Sequence, residues 1–375
     1  MPTINVLICD DSALMRRSLT QIVESDPIMK VIGSARDGQD AINKARELRP
    51  DVITMDINMP VIDGITALQV IVDEGIAPVI MVSSLTQEGA VATFESISLG
   101  AFDYVSKPGG TVSVRMEHSA HEIIAKIKAA ARPGTMKRLG RKSSLTTTPT
   151  KPATSLKRES TIKSSVNKEA QSSPLSTKLR GSSEFGFKAV ALGISTGGPK
   201  TLFDVLPFLP STLNAAIFVV QHMPGKFITT FAERIDRNCQ MPCVEVEAGM
   251  EVEPGKIYLG TGGYHLNLYK KLSNKIVIRT PKTPTHQFMP SVDIMMSSVL
   301  DVFGKDTIGV LMTGMGDDGA DSMVKIAKAG GRTVAESEES AIVFGMPQEA
   351  IKRGGAEIIK PSWDIADAII KLVGK

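Results

Sequence analysis

Cysteine is scarce in this sequence, with three residues among 375. So few isolated thiols exclude a disulfide-stapled scaffold and suit a reducing compartment. The sequence also lacks an apolar run near the ~18 residues that a membrane helix needs. Its start, MPTINVLICDDS, lacks the charged segment and long apolar stretch of a secretory signal. We therefore expect a cytoplasmic protein without membrane insertion.

Acidic and aromatic residues are scarce in one segment, residues 133–183. This segment has 11 Lys and Arg against 2 Glu, 19 Ser and Thr, and no aromatic residue, whereas the rest of the chain has 32 basic and 38 acidic residues. Such a composition cannot bury enough apolar surface to offset the entropy of ordering, so we predict a disordered linker over residues 132–183. Binding of its charge to an anionic surface is the alternative. A nucleic-acid binder more often carries its charge on a folded face, so we expect no nucleic-acid partner.

The two flanking blocks, residues 1–131 and 184–375, both alternate apolar strand candidates with helical patterns. In the second block we predict strands at 189–193, 217–220 and 308–312, and helices at 199–208, 226–237 and 320–329. Short strands with Gly-rich turns between 244 and 278 indicate a β excursion. This alternation predicts an α/β protein with two doubly wound parallel-sheet domains.

Polar residues of the first block stand directly after its predicted strands. Asp10 and Asp11 follow the first strand, Asp56 the third, and Lys107 the fifth, while Ser83 ends the fourth. The carboxyl ends of parallel strands meet at one edge, where three carboxylates repel one another unless a cation compensates. Oxygen ligands suit Mg²⁺, and the added hydroxyl and ammonium favour phosphoryl transfer onto an aspartate. Each residue alone is explained as an ordinary loop residue, but the five together argue against that alternative.

The first block resembles the receiver domain of two-component response regulators. The matching stretches are DDS from Asp10, MDINMPVIDG from Met55, VSSLT from Val82 and YVSKP from Tyr104. The resemblance implies a flavodoxin-like fold, phosphorylation at Asp56 and a histidine kinase as phosphodonor. It implies that Mg²⁺ is held by Asp10, Asp11, Asp56 and the Asn58 carbonyl, and that the phosphate is sensed by Ser83, Tyr104 and Lys107.

A G-x-S-x-G pattern centred on Ser195 joins a predicted strand to a predicted helix in GISTGGP. At such a junction the tight turn lifts the serine above the sheet edge, near the positive end of the helix dipole. This geometry favours a nucleophilic serine. A helix N-cap serine in a glycine turn is the alternative.

Two further loops are predicted to reach the same edge. His222 follows the strand at 217–220, and Asp317 and Asp318 follow the strand at 308–312, within LMTGMGDDGA. Together with Ser195 they supply the nucleophile, base and carboxylate of a triad, and the glycine-rich loop could supply oxyanion-hole amides. A structural histidine and an acidic first helical turn are the alternatives. The chain order Ser, His, Asp differs from that of α/β-hydrolases.

The second block resembles the catalytic domain of the CheB family, the chemotaxis protein-glutamate methylesterases. The matching stretches are GISTGGP, VQHMP, PSVD, LMTGMGDDGA and FGMPQEA. The resemblance implies a Rossmann-like domain with Ser195 as nucleophile, His222 as base and Asp318 as its orienter. It places the oxyanion hole at Thr196 and the Met315 backbone, with no cofactor for the ester chemistry.

The same resemblance implies the biological reaction. The enzyme would release methanol from glutamate methyl esters on cytoplasmic domains of chemoreceptors, and would deamidate receptor glutamines, with phosphorylation as the activator.

Three other interpretations lack support in the sequence. A DNA-binding response regulator would need a helix-turn-helix pattern after the linker, and none is visible. A nucleotide-binding output domain would need the lysine of G-x-x-x-x-G-K-[ST], which GISTGGP lacks. A zinc site at Cys239 and Cys243 would need a second ligand pair.

Overall fold

The computed structural model describes residues 3–84, 86–107, 113–139 and 185–374. The predicted linker lies outside these ranges except for residues 132–139, where a short helix covers Thr135–Leu139. The predicted domain boundaries therefore stay predictions. None of the helices in the described ranges combines the length and apolar character that a bilayer crossing requires.

The first block folds around a five-stranded parallel sheet in the order β2-β1-β3-β4-β5. Its strands are β1 (Ile4–Cys9), β2 (Met29–Ala35), β3 (Val52–Asp56), β4 (Val79–Ser83) and β5 (Asp103–Ser106). Its helices are α1 (Ala13–Glu24), α2 (Gly38–Leu48), α3 (Gly64–Asp73), α4 (Gln87–Ser98) and α5 (Ser113–Ala130), followed by α6 (Thr135–Leu139).

The strand ends of this sheet approach the following helices closely. Strands β3 and β4 are buried along their whole length, as their continuous apolar runs require. Gly64 begins α3 so near the end of β3 that a Cβ there would lie 1.8 Å from the Asp56 carbonyl oxygen. Only glycine permits this approach, which brings the start of α3 against the loop after Asp56.

The second block folds around a seven-stranded parallel sheet in the order β14-β13-β12-β6-β7-β9-β8. Its strands are β6 (Lys188–Ile194), β7 (Ala215–Gln221), β8 (Cys243–Glu245), β9 (Lys256–Leu259), β12 (Thr307–Leu311), β13 (Arg332–Glu336) and β14 (Ile358–Lys360), and an antiparallel hairpin is formed by β10 (Asn267–Lys270) and β11 (Ile276–Arg279). Its helices are α7 (Gly198–Thr201), α8 (Gly225–Asn238), α9 (Val292–Phe303), α10 (Ala320–Lys328), α11 (Met346–Lys352) and α12 (Ser362–Val373).

Both parallel sheets confirm the predicted fold class. The β excursion predicted between 244 and 278 is smaller than expected, because β8 and β9 join the main sheet, whereas the hairpin β10–β11 is separate from it. The single helix predicted over 199–208 is wrong. Helix α7 ends at Thr201, and two 3₁₀ turns follow at Leu202–Asp204 and Leu206–Phe208. Pro207 lacks an amide proton, so it cannot donate the i→i−4 hydrogen bond that a continuous helix over 199–208 would need at that position.

The two sheets are joined through an aromatic contact between α4 and α8. The Phe94 ring stacks on Phe231 with centroids 5.1 Å apart and meets the edge of Phe227. Tyr104, in β5, stacks on Phe227 at 5.1 Å. The Arg234 guanidinium donates to the Phe94 carbonyl at 2.9 Å and to the Ser98 hydroxyl. These contacts hold the first domain against the sheet edge that carries Ser195.

Candidate active site

The three predicted triad residues follow three neighbouring strands of the seven-stranded sheet. Ser195 follows β6, His222 follows β7, and Asp318 lies in the loop after β12. Strand β6 lies between β12 and β7, so the chain reverses its direction of travel across the sheet at β6. Ligand sites of open α/β sheets form at such a switch point, at the carboxyl ends of the strands.

The side chains of these residues form a continuous hydrogen-bonded chain. His222 Nδ1 lies 3.1 Å from Ser195 Oγ, and His222 Nε2 lies 2.8 Å from Asp318 Oδ2. A carboxylate only accepts, so the imidazole proton belongs on Nε2 and the Nδ1 lone pair faces the serine hydroxyl. In this tautomer the imidazole is oriented to accept the serine proton.

Asp318 is saturated with hydrogen bonds at the start of α9. Its Oδ1 accepts from the Ser291 hydroxyl at 2.8 Å and the Asp293 amide at 3.0 Å, and its Oδ2 accepts from the Val292 amide at 2.7 Å. Burial alone would raise the pKa of this carboxyl, but the His222 contact and the helix amides lower the pKa to about 2. The carboxylate is therefore ionised and fixed beside the imidazole at neutral pH.

Close backbone approaches shape the turn that carries Ser195. Gly197 has a φ of +78°, and a Cβ there would meet Ile342 at 2.7 Å. The Ser195 amide donates to the Thr313 carbonyl at 2.9 Å, and Gln221 Nε2 donates to the Ser195 carbonyl at 3.0 Å. The turn is thus held from both neighbouring strands, which leaves the hydroxyl facing His222.

Thr196 and the Met315 backbone, the predicted oxyanion-hole positions, have backbone amides that remain available at this turn. Among the hydrogen bonds of the described residues, none is donated by the Thr196 or Met315 amide. Between Met315 and Thr313, Gly314 lies so near the nucleophile that a Cβ there would be 2.9 Å from the Ser195 Cβ. The absence of a side chain at Gly314 lets both backbone segments lie beside the serine.

The first domain carries a second site at the corresponding edge of its own sheet. Carboxylate oxygens of Asp10, Asp11 and Asp56 all lie within 4.8 Å of one another. Lys107 Nζ lies 2.7 Å from Asp56 Oδ2 and 3.2 Å from Asp10 Oδ2, and the latter oxygen is buried and accepts no hydrogen bond. Burial raises the pKa of the Asp56 carboxyl, and Lys107 opposes that rise. Three hard oxygen donors with one shared ammonium fit a Mg²⁺ ion.

Known proteins match this chain over both sites. The family model for the CheB methylesterase matches residues 190–369, and the model for the response regulator receiver domain matches residues 6–116. The protein-glutamate methylesterase/protein-glutamine glutaminase 3 of Syntrophomonas wolfei is 55% identical, over 99% of this chain and 100% of the relative. The chain belongs to the CheB methylesterase family, with a receiver domain at its N-terminal end.

One more relative and one solved domain are also similar to this chain. The protein-glutamate methylesterase/protein-glutamine glutaminase of Caldanaerobacter subterraneus is 46% identical, over 99% of this chain and 97% of the relative. The solved CheB methylesterase catalytic domain of Thermotoga maritima is 37% identical, covers 50% of this chain and 99% of its own, and has a TM-score of 0.49.

In this CheB family member a cavity of about 690 Å³ opens over Ser195. It is lined by Ser195, Thr196, His222 and Met315, and on the receiver side by Tyr104 and Glu122. Phe288 covers one face of the imidazole, with ring centroids 4.1 Å apart and planes 8° from parallel. A neighbouring aromatic face stabilises a protonated imidazole and keeps water from it.

The other predicted receiver residues of this CheB family member differ in burial and in what they contact. The Ser83 hydroxyl is buried and lies 3.3 Å from the Gly89 carbonyl, and the Tyr104 ring faces the catalytic domain. Asn58 is exposed two residues after Asp56, and its role as a carbonyl ligand stays a prediction. The structure thus brings Lys107 to Asp56 directly, whereas Ser83 contacts α4 and Tyr104 contacts α8.

Sequence reasoning missed several residues of this candidate site. Phe288 has no local signal, since it stands in a loop without periodicity. Ser291 and Gln221 lie inside the matched stretches PSVD and VQHMP, but their partners are distant in sequence. Of the two adjacent acids, Asp317 faces away and pairs with Arg353 at 2.6 Å, which leaves Asp318 for the histidine.

Proposed function

We propose that this chain is a phosphorylation-activated protein-glutamate methylesterase that acts on methylated chemoreceptors through a serine acyl-enzyme. The observation that carries the proposal is the hydrogen-bonded chain from Ser195 Oγ through His222 to Asp318, at 3.1 and 2.8 Å. The relatives are named for glutamate methylesterase and glutamine glutaminase activities, which indicates the ester and amide substrates.

The first half of the reaction forms the acyl-enzyme. Ser195 Oγ attacks the ester carbonyl carbon while His222 Nδ1 takes the hydroxyl proton. The C–O bond to the methoxy group then breaks, the proton passes from His222 to the leaving oxygen, and methanol departs. Asp318 stays ionised throughout and stabilises the imidazolium that forms.

The second half of the reaction restores the enzyme. His222 takes a proton from water as the water oxygen attacks the acyl carbon, and the proton returns to Ser195 Oγ when the acyl bond breaks. The glutamic acid side chain that is released then loses the second water proton to solvent and becomes a carboxylate. A glutamine substrate follows the same course, with ammonia leaving in place of methanol.

Backbone donors and an aromatic face support the charges that develop. The Thr196 and Met315 amides, which donate to no acceptor within the described residues, would donate to the oxygen that becomes negative and so lower the barrier. The Phe288 ring lies against the imidazole that becomes positive. Both groups act more strongly on the transition state than on the resting substrate.

The receiver site accepts a phosphoryl group from a histidine kinase on Asp56. Asp10, Asp11, Asp56 and the Asn58 carbonyl would hold Mg²⁺, which when bound neutralises phosphoryl oxygens and aligns them with the acceptor. Lys107 contributes a second positive charge, already 2.7 Å from the acceptor carboxylate. Ser83, one strand further along, offers its hydroxyl to the phosphoryl group.

The receiver restrains the esterase by covering its cavity. Asp103 Oδ2 accepts from the Gly197 amide at 3.2 Å, which puts a receiver carboxylate on the nucleophile turn. Lys200 Nζ donates to the Leu139 carbonyl at 2.6 Å, and Tyr104 stacks on Phe227. Rearrangement of β5 and α5 on phosphorylation would weaken this contact and favour an open state, as a population shift requires.

Methanol release from methylated chemoreceptor cytoplasmic domains tests this function, with and without a small phosphodonor. We expect a low basal rate and a higher rate with phosphodonor in the wild type. Asp56→Asn should keep the basal rate and lose the response, and Ser195→Ala should lose both rates. Wild-type hydrolysis that persists in Ser195→Ala would refute the serine mechanism, and equal rates with and without phosphodonor would refute activation.

A further inference from the structure

A fully buried carboxylate stands one strand away from the catalytic edge. Glu336 ends β13, the neighbour of β12, and its exposed fraction is 0%. The reaction described above does not use it. A buried carboxylate costs free energy unless it is hydrogen-bonded, so its partners indicate what it does for the fold.

The two oxygens of Glu336 have different partners. One accepts from the Thr313 amide at 2.7 Å, and the other accepts from the Ser340 hydroxyl at 2.7 Å. No ion pair to Glu336 occurs within the ranges that the structure describes. The carboxylate is therefore held by neutral donors alone, and one of them belongs to the loop after β12.

Thr313 connects Glu336 to the turn that carries Ser195 and Thr196, called the nucleophile turn. Its carbonyl accepts from the Ser195 amide at 2.9 Å, and its hydroxyl donates to the Thr196 carbonyl at 2.9 Å. The same hydroxyl accepts from the Val343 amide at 2.9 Å, which ties in the loop after β13. Thr313 is fully buried and thus links Glu336 to both residues of the turn.

The position of Thr313 also fixes the second oxyanion donor. Gly314 alone separates it from Met315, and the Gly314 amide donates to the Val343 carbonyl at 3.0 Å. A displacement of Thr313 would therefore move the Met315 amide and the Ser195 turn together. Misplacement of catalytic groups by about 1 Å is enough to cost about 10²-fold in rate.

We propose that Glu336 is a positioning residue for hydrolysis, which holds the Thr313 amide and thereby fixes both the Ser195 turn and the Met315 amide. The inference rests on the proposed serine mechanism. It assigns Glu336 no contact with substrate and no proton transfer.

The chemistry of the contact predicts which substitutions are tolerated. A glutamine retains an oxygen acceptor for the Thr313 amide and offers an amide donor to Ser340, so it can replace Glu336. An alanine leaves the Thr313 amide buried without an acceptor, which is the costlier change. A comparison of the activities of these two variants therefore distinguishes a positioning role of Glu336 from a role of its charge.

The test compares Glu336→Ala, Glu336→Gln and Thr333→Val in the full chain. Thr333 is the control, because it is buried on the same strand and its hydroxyl accepts from the Glu357 amide, away from Thr313. The measurements are kcat and KM for methanol release from a methylated receptor fragment. The rate of Ser195 labelling by a fluorophosphonate is measured beside them, with thermal melting to establish the folded fraction.

We expect Glu336→Ala to lower kcat and the labelling rate by about tenfold or more, less than the ~10²–10³ of removing an oxyanion donor outright. KM should change by less than about twofold, and Glu336→Gln and Thr333→Val should stay within about threefold of wild type, since neither removes an acceptor from Thr313. A kcat for Glu336→Ala equal to that of Thr333→Val would overturn the proposal, as would a Glu336→Gln variant as impaired as Glu336→Ala.

A second variant covers the case in which Glu336→Ala does not fold. Glu336→Asp keeps a carboxylate at this position but shortens the side chain by one methylene, which withdraws its oxygen from the Thr313 amide. It should lower kcat by about tenfold with KM unchanged, and a wild-type kcat would overturn the proposal. Failure of the serine mechanism is distinguishable, because wild-type Ser195 would then not react with the fluorophosphonate.

Discussion

The two sheet edges of this molecule gather carboxylates in opposite electrostatic settings. At the receiver edge, Asp10, Asp11 and Asp56 converge on one another, with Lys107 as their shared cation. At the esterase edge, Asp318 receives four hydrogen bonds from the chain itself. The receiver edge is incomplete without an added cation, whereas the esterase edge is complete as folded.

The difference shows what a parallel sheet does and does not decide. In both domains the fold brings side chains from neighbouring strand ends to one edge. What those side chains then do depends on whether helix amides or an outside ion satisfy the acid. Each prediction below disturbs one edge and asks whether the other responds.

The largest effect is expected at the nucleophile of the self-contained edge. Ser195→Ala should lower ester hydrolysis by about 10⁴-fold or more, since members of a triad act as a unit. Phosphorylation of Asp56 should continue unchanged, because the receiver site has its own residues. Methanol release and incorporation of labelled phosphate measure the two edges separately, and hydrolysis within tenfold of wild type would contradict the assignment.

A smaller loss of hydrolysis is expected when Asp318, the carboxylate of the hydrogen-bonded chain, is made neutral. Asp318→Asn should lower kcat by about 10²–10⁴-fold, because an amide no longer fixes the Nε2-protonated tautomer of His222. Asp317→Asn is the matched control, since that side chain pairs with Arg353 and not with the histidine. Comparable losses in both variants would show that the neighbouring acids act through general charge.

The strand ends explain how much of both sites the sequence predicts. Ser195 and His222 directly follow apolar strands and Asp56 ends one, and a strand is recognisable locally from its composition. The parallel arrangement then carries each of these residues to a common edge. Asp318 needed the family resemblance, because nothing local separates it from Asp317.

The remaining features depend on contacts between distant parts of the chain. Glu336, at the end of β13, reaches Thr313 in the loop after the neighbouring β12, and Phe288 reaches His222 from a loop 66 residues later. The helix predicted over 199–208 stops at Thr201 and is followed by two 3₁₀ turns. Local sequence patterns indicate which face of a helix or strand is buried. The hydrogen-bond partner of a buried polar group, in contrast, depends on the order of the strands in the sheet.

Removal of divalent cations should separate the two edges further. A chelator should abolish phosphorylation of Asp56 and hence the activation of hydrolysis, which we expect to be about tenfold. Basal hydrolysis should not change, because the Asp318 carboxylate is stabilised by hydrogen bonds from the protein itself and needs no metal ion. The measurement is methanol release with and without phosphodonor, before and after addition of excess Mg²⁺. A basal rate that falls with the chelator would show that the esterase edge is not self-contained.

Disturbing the contact between the domains should have a smaller effect of opposite sign. Phe94→Ala removes the ring that packs on Phe227 and Phe231, so the basal hydrolysis rate should rise by a factor of about 3–10, as a loss of about 1 kcal/mol from the closed state implies. Val91→Ala, on the exposed side of the same helix, is the control. If the basal rates of both variants equal that of the wild type, the aromatic contact does not restrain the esterase.

The smallest effect on hydrolysis is expected for Glu336→Gln, whose main consequence is on the pH dependence of stability. Burial raises the pKa of Glu336 to about 7, although the Ser340 and Thr313 hydrogen bonds oppose the rise; the nearby Asp204 carboxylate adds to it. A raised carboxyl pKa contributes stability that is present below the unfolded value near 4.5 and is lost as the pH rises towards 7. Glutamine does not ionise. The free energy of unfolding of Glu336→Gln relative to that of the wild type should therefore rise between pH 5 and pH 8. Denaturant midpoints of both proteins at the two pH values measure this gain. A difference that is constant with pH would mean that Glu336 is ionised throughout, as Asp318 is at the neighbouring strand.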